Sequence, residues 1–303
     1  MEFVKNDLYC EITNIDEYAG MAVEQFLRDV LLYPKKLLHE LRMEKGIKIN
    51  KEIIPWHYVI TNGDSIEILM FKEEEYGVIP ENLNIEVCFE DDHLLIVNKP
   101  IGMDTHPNKA GQLHTLANAV AYHYQSNGIN EKVRHIHRLD KDTSGGVVFA
   151  KHPLSHAILD KMLADRLIKR TYTAIVEGKL KEEKGTINAP IGRDRSHPTR
   201  RRVSPKGEKA ITHFQVIDYS KKQNISTIKC QLDTGRTHQI RVHLSSIGHP
   251  LVGDELYGGK TKLLRRQALH AANIKLAHPF TKEQIDVNIP FPDDLEKLMS
   301  EKK

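Results

Sequence analysis

What most constrains the fold of this chain is the rhythm of its strand-like and helix-like stretches between residues 84 and 231. Six short runs rich in β-branched and aromatic residues read as strands: 84–89, 93–97, 146–150, 171–176, 211–217 and 225–231. Only two stretches, 115–126 and 154–166, carry a helical pattern. Strand and helix do not alternate at the roughly 30-residue period of βαβ units. That spacing argues against a doubly wound parallel sheet and predicts an α+β fold, with a mixed, largely antiparallel sheet and flanking helices. No repeat of about 20–50 residues and no low-complexity tract interrupts the pattern.

A seam divides the 303 residues into two units. Lys72-Glu73-Glu74-Glu75-Tyr76-Gly77-Val78-Ile79-Pro80 is acidic and then broken by Gly and Pro, as a linker is. The boundaries expected are 1–75 for a small α/β domain, 76–84 for the linker and 85–303 for the larger domain. In the first unit, Val23, Phe26, Leu27, Val30 and Leu31 fall on one helical face before Pro34. A second helical stretch, KKLLHELRMEKG, ends at Gly46. Ile47–Lys51 and Asp64–Ile68 alternate as short strands, with Asn62-Gly63-Asp64 as a turn. Charge divides at the same seam. Residues 1–80 hold nine Lys/Arg and fifteen Asp/Glu, and the remainder carries +9, since the whole is +3. An anionic partner suits the larger unit.

Three widely spaced cysteines (Cys10, Cys88, Cys230) form neither a disulfide framework nor a zinc-type spacing. Apolar runs such as Leu94-Leu95-Ile96-Val97 are too short to cross a bilayer. The opening MEFVKNDLYCEITN is mixed and charged, unlike a secretory signal, so the cytoplasm is the expected compartment.

Four polar stretches, three of them glycine-bearing, flank the strands: 98–102, 135–146, 169–172 and 235–243. Asp140 stands out among them, following Arg138 and preceding the turn-forming Thr143-Ser144-Gly145. A carboxylate there is either a nucleophile or base held ionised by cations, or a turn residue bonding its own backbone. In His238-Gln239-Ile240-Arg241-Val242-His243, strict alternation reads as a strand with Arg241 on its polar face, lining a cleft or facing water. Seventeen histidines invite a metal reading, with His135 and His137 sharing a strand face and His238 and His243 downstream. Yet there is no HExxH, and no acid or cysteine stands at ligand spacing. GxxxxGK[ST], a helix-opening GxGxxG and GxSxG are also absent. Residues 192–209 hold seven Lys/Arg against two acids in a Pro/Gly-punctuated loop, which suits phosphate contacts or simply solvation. Lys260, Lys262, Arg265 and Arg266 form a smaller basic cluster.

Taken together, NKPIGMDTHP (98–107), HRLDKDTSGGVVFAK (137–151), KRTYTAIVEG (169–178) and GRTHQIRVHLSSIGHPLVGDELYG (235–258) resemble the RluA/RluD family of RNA pseudouridine synthases over residues 85–292. Residues 16–70 resemble, more weakly, an S4-type RNA-binding module. Where such modules open on a basic stretch, this chain has Gly20-Met21-Ala22-Val23-Glu24-Gln25-Phe26-Leu27. The resemblance implies isomerisation of uridine to pseudouridine in structured RNA, with ribosomal RNA of the large subunit expected ahead of transfer RNA. No cofactor and no metal are implied, since nothing is oxidised and no phosphate is moved. By position Asp140 matches the essential aspartate, acting at the ribose C1′ or assisting departure of uracil. Arg241 matches the arginine that pairs with it and would lower its pKa. Tyr172 matches the active-site tyrosine, and Arg138 a residue that displaces the target nucleotide from its stack. Lys35, Lys36 and Arg42 are the expected RNA contacts of the first domain, and Arg200, Arg201 and Arg202 those of the second. A monomer without an obligate protein partner is expected. A catalytically decayed RNA-binding protein is the alternative of a different class.

Overall fold

Alternation within single strands dictates the layering. In a computed structural model that describes residues 1–300, strand Leu94–Lys99 buries both of its faces. Leu94 and Ile96 enter one apolar layer, and Leu95 and Val97 enter another on the opposite side. Strand Ser144–Ala150 repeats this with Val148 and Ala150 against Val147 and Phe149. A sheet apolar on both faces must be covered on both.

The N-terminal unit is a five-stranded sheet of β1 (Glu2–Asn6), β2 (Tyr9–Thr13), β3 (Ile47–Ile49), β4 (Glu52–Ile53) and β5 (Ile66–Leu69), in the order β1-β2-β5-β3-β4. The helical face expected over 20–33 forms as one α turn, α1 (Val23–Gln25), that widens into a π turn over Phe26–Val30. Helix α2 (Lys35–Met43) begins directly after Pro34. Hairpin β1–β2 extends the expected strand set.

The larger unit is a ten-stranded sheet. Its strands are β6 (Glu86–Glu90), β7 (Leu94–Lys99), β8 (Arg134–His135), β9 (Ser144–Ala150), β10 (Lys169–Glu177), β11 (Lys184–Asn188), β14 (Ile211–Ser220), β15 (Ile225–Leu232), β16 (Leu269–Ala277) and β17 (Gln284–Asn288). A separate two-stranded ribbon pairs β12 (Ile191–Arg193) with β13 (Arg201–Val203). The main path runs β11-β14-β15-β10-β16-β9-β7-β6, with β17 beside β16 and β8 beside β9. All pairings are antiparallel except β9 with β16. The mixed, largely antiparallel sheet is therefore as expected.

Helix α4 (Pro153–Ala164) and the N-terminal unit share one apolar layer with the sheet. Helices α3 (Leu116–Ser126) and α5 (Gln239–Ser246) lie in the layer on the opposite face. Helix α6 (Asp293–Ser300) closes a third, smaller cluster with Ile175 and Val252. No helix among the described residues is long and apolar enough to cross a membrane.

One expectation is corrected here. Residues 239–243 are not a strand but the start of helix α5, entered through His238 in a left-handed conformation at φ 57°. The two-residue alternation has a different origin. Ile240 and Leu244 pack into the sheet layer, while Val242 packs with Ile191, Ala210 and Tyr257. Gln239 and His243, one turn apart, both reach the Thr212 hydroxyl, at 3.1 and 2.8 Å. A helix buried on opposite sides by unlike neighbours can mimic strand periodicity.

Candidate active site

Asp140 lies in the loop that joins β8 to β9, and its backbone carbonyl closes a turn with the Thr143 amide at 3.0 Å. The loop enters β9 at Gly145 (φ +117°). A Cβ there would meet Ala271 backbone atoms of β16 at 2.5 Å, so glycine is required for the parallel β9–β16 contact. Two buried polar side chains from the stretch 98–107 hold the loop from behind. The Lys99 ammonium, fully buried, donates to the carbonyls of Pro100 (2.9 Å), Met103 (2.8 Å) and Lys141 (2.9 Å). Burial lowers its pKa to about 8, against the opposing pull of Asp142, Asp140 and Asp104. Thr105 Oγ1 accepts from the Leu139 amide and donates to the Leu139 carbonyl, both at 3.1 Å. Asp140 is thus presented by a loop pinned on either side of it, with its own side chain 27% exposed.

The facing residue comes from α5. Arg241 Nη1 donates to Asp140 Oδ2 at 3.0 Å. The rest of its guanidinium forms a fork on Asp254, with Nε to Oδ2 at 2.7 Å and Nη2 to Oδ1 at 2.9 Å. Burial disfavours the charge on Arg241, but the carboxylates of Asp254 and Asp140 outweigh it and raise its pKa. The guanidinium also sits over the Tyr257 ring, 5.0 Å from the centroid.

Tyr257 and His238 complete the surround. The Tyr257 hydroxyl accepts from the Arg201 amide at 2.9 Å and lies 2.8 Å from His238 Nδ1. Either the Tyr257 hydroxyl or His238 Nδ1 can donate in this contact, because the phenolic oxygen keeps a second lone pair after accepting from Arg201. Nε2 is 3.8 Å from Asp140 Oδ2. Tyr257 and His238 thus join the β12–β13 ribbon to the surround of Asp140 by hydrogen bonds up to the imidazole, and the last step to the carboxylate is a longer charge contact.

Tyr172 on β10 is 4% exposed and close enough for the Asp140 charge to act on it. Burial raises its pKa, and the neighbouring Arg170 opposes that rise. Arg138 is exposed and makes no ion pair among the described residues. Arg200 and Arg202 are exposed and Arg201 half-buried on the ribbon, with the Arg200 guanidinium 6.0 Å from the Tyr257 ring centroid. The structure thus gathers Asp140, Tyr172, Arg241 and the arginine ribbon in one region. Lys35, Lys36 and Arg42 are exposed on α2 in the N-terminal unit, which packs on the opposite face of the sheet from α5. Of the smaller basic cluster, Arg266 is buried and forked onto Asp294 of α6 at 2.7 and 2.8 Å, while Lys260, Lys262 and Arg265 are exposed.

Several histidines satisfy neighbouring backbone or side-chain groups, and His93 and His152 face each other at 2.9 Å. His137 accepts from the Val148 amide at 3.3 Å, and His243 bridges Thr212 and the Ala189 carbonyl. Among the described residues no three His, Cys, Asp or Glu side chains gather as a metal site would require. Sequence reasoning passed over Asp254 and Tyr257, although both stand in the stretch 235–258. The available signal was the pair of acids, Asp254-Glu255, that ends the uncharged run Leu251-Val252-Gly253.

A half-exposed carboxylate held by a buried arginine, beside the exposed Arg200 and Arg202, is an arrangement suited to chemistry on an anionic polymer. Family comparison gives the class: residues 93–246 match the RNA pseudouridylate synthase model, and residues 10–66 match the RluD ribosomal pseudouridine synthase N-terminal domain. The chain belongs to the RNA pseudouridine synthase family and is an isomerase of that class. A relative in Bacillus subtilis (strain 168), an uncharacterized RNA pseudouridine synthase called YhcT, is 52% identical over 288 residues, 95% of each chain. The ribosomal large subunit pseudouridine synthase D of Haemophilus influenzae is 36% identical over 301 residues, covering 94% of this chain and 92% of its own. Among solved structures, human RNA pseudouridylate synthase domain containing 1 aligns with a TM-score of 0.58 at 25% identity, covering 70% of this chain and 85% of that one.

Proposed function

We propose that this enzyme isomerises uridines of large-subunit ribosomal RNA, with Asp140 as the essential carboxylate. The observation that carries the reading is the hydrogen bond of 3.0 Å from Arg241 Nη1 to Asp140 Oδ2, with Arg241 itself anchored on Asp254. In the reaction the N1–C1′ bond breaks and a C5–C1′ bond forms. C5 loses a proton and N1 gains one, so the change is balanced without oxidant or phosphate donor. Asp140 engages the ribose while uracil is detached, and Arg241 fixes the carboxylate and supports its charge. Tyr172 lies beside the base and packs against it. The uridine must leave its stack to reach a carboxylate, and Arg138, exposed two residues before Asp140, fills the vacated position. Arg200, Arg201 and Arg202 hold phosphates on the adjoining ribbon.

The domain reading is 1–75 as an RNA-binding domain, 76–84 as linker and 85–303 as catalytic domain, working in the cytoplasm. Large-subunit ribosomal RNA is favoured over transfer RNA because several similar proteins are ribosomal large subunit pseudouridine synthase D enzymes. The test is carbodiimide-primed reverse-transcription mapping of total RNA from cells with and without the gene, complemented by wild type or Asp140→Ala. Stops in ribosomal RNA that only the wild type restores are expected. Stops changing only in transfer RNA would overturn the substrate, and full complementation by Asp140→Ala would overturn the role of the carboxylate.

A further inference from the structure

A cleft of about 920 Å³ opens between the segment 75–79 and the loop 106–112, with Val133 and His135 also lining it. One wall carries an arrangement that the reaction just described does not use. The imidazoles of His106 and His135 are stacked, with centroids 4.6 Å apart and planes 18° from parallel. Neither ring has a hydrogen-bond partner among the described residues, and both residues are half-buried, with their ring nitrogens not among the buried unpartnered atoms. Both rings are held neutral. Burial pushes His135 down to about 4, and burial lowers His106 as well, with the Arg138 charge acting against protonation of each. The other wall is fixed: the Val133 amide donates to Tyr76 (3.0 Å) and the Asn118 side chain to Ile79 (2.8 Å). The charged residues lining the cleft are Glu75 and Lys109, one of each sign.

These features select among ligands. A neutral, flat, stacked pair with unpaired nitrogen edges suits the π-face of a nucleobase and gives no anchor for a phosphate. The position also fits. His106 follows Thr105, whose hydroxyl clamps the Leu139 backbone at 3.1 Å, one residue from Asp140, and Arg138 adjoins both rings. We infer that the His106–His135 pair is a stacking platform for a nucleobase of the RNA flanking the modified uridine, a subsite separate from the uridine pocket. This rests on the RNA pseudouridine synthase reading and adds to it how the strand beside the target is held. Stacking is tolerant of base identity, so the subsite sets affinity and register rather than reading sequence.

The test uses two single-stranded RNA heptamers containing one uridine, with 2-aminopurine immediately 5′ or 3′ of it, and the full-length enzyme. Wild type should quench the fluorescence of one heptamer and leave the other little changed. His106→Ala should abolish that quenching and weaken binding about tenfold, the usual effect of losing one stacked base. His106→Phe, which keeps a ring, should retain both. Quenching of neither heptamer, or quenching that survives His106→Ala, overturns the platform. Failure of the parent reading is distinguished by the ribosomal RNA mapping: the platform fails alone if wild type modifies RNA there while the heptamer signals do not depend on His106.

Discussion

Asp254 is where the architecture of the site can be tested most sharply, because one substitution separates charge from shape. Asp254→Asn leaves the side-chain outline intact but removes the carboxylate that receives two of the Arg241 donors, at 2.7 and 2.9 Å. Asp254 has a side chain 1% exposed and Arg241 9%, so water cannot take over the lost role. Taking one partner from a buried ion pair costs about 3–5 kcal/mol, most of it the penalty of an uncompensated buried charge. Asp140 remains as a second anion on Nη1, which moves the expectation to the lower end of that range. At roughly 2–4 °C per kcal/mol for chains approaching this size, the unfolding midpoint should drop by about 6–12 °C. Activity should fall separately. Without its fork, Arg241 no longer aims Nη1 at Asp140, and an error of about 1 Å in such positioning costs about 10²-fold. Single-turnover rates at saturating RNA, measured well below the midpoint, should show that loss with RNA affinity nearly unchanged. The background Arg241→Met supplies the control. There Asp254 becomes a buried carboxylate without a cation, so adding Asp254→Asn should stabilise rather than destabilise. A midpoint within about 1 °C of wild type, or a destabilising Asp254→Asn in the Arg241→Met background, would refute the reasoning.

Three further outcomes follow from the same geometry. Replacing Arg200, Arg201 and Arg202 together by Gln should weaken RNA binding and flatten its dependence on salt, by up to about one unit of log–log slope for each phosphate left without its arginine; an unchanged slope would mean that the ribbon is only solvated. Tyr257→Phe removes the hydroxyl that joins the Arg201 amide to His238. Two lost hydrogen bonds at about 1 kcal/mol each predict a stability loss of about 2 kcal/mol, checked by thermal unfolding, and an unchanged midpoint would tell against both bonds. Glu131, buried beside Glu74, has its pKa raised from 4.5 to about 8 by loss of hydration. Its folded form holds the proton that the unfolded chain releases, so its favourable contribution is complete below about pH 4.5 and is lost as pH rises toward 8. Glu131→Gln should therefore match wild type near pH 4 in thermal unfolding and become increasingly more stable than wild type between pH 5 and 8, whereas a constant gap across that range would exclude the buried-acid explanation.

The parts of this molecule that were legible in its sequence are those whose environment is uniform along an element. Leu94–Lys99 and Lys169–Glu177 sit between two apolar layers, so their runs of buried residues announce strands. Hairpin Glu2–Thr13 goes unread for the opposite reason: β1 is exposed at nearly every position and carries no pattern. Helix α5 misleads because its contacts on opposite sides are unlike, and Arg241 reaches Asp140 from a helix rather than a strand. Asp140 and Arg241 stood out as candidates because charge beside buried elements is costly unless paired, solvated or used, and the family resemblance gave them their expected roles. Their tertiary supports did not stand out, since Lys99 precedes Asp140 by 41 residues and Asp254 follows it by 114. Those distant residues are what turn a flexible turn carboxylate into an oriented one. Lys99 ties the Lys141 carbonyl of the loop to the Pro100 and Met103 carbonyls of its own segment, and Thr105 fixes Leu139 by both of its backbone groups. Arg241 then approaches a carboxylate that has little freedom to turn away. Preorganisation of this kind is invisible to residue spacing, because it consists of side chains satisfying the backbone of another segment, and it is where the stretches 98–107, 137–151 and 235–258 come together around Asp140.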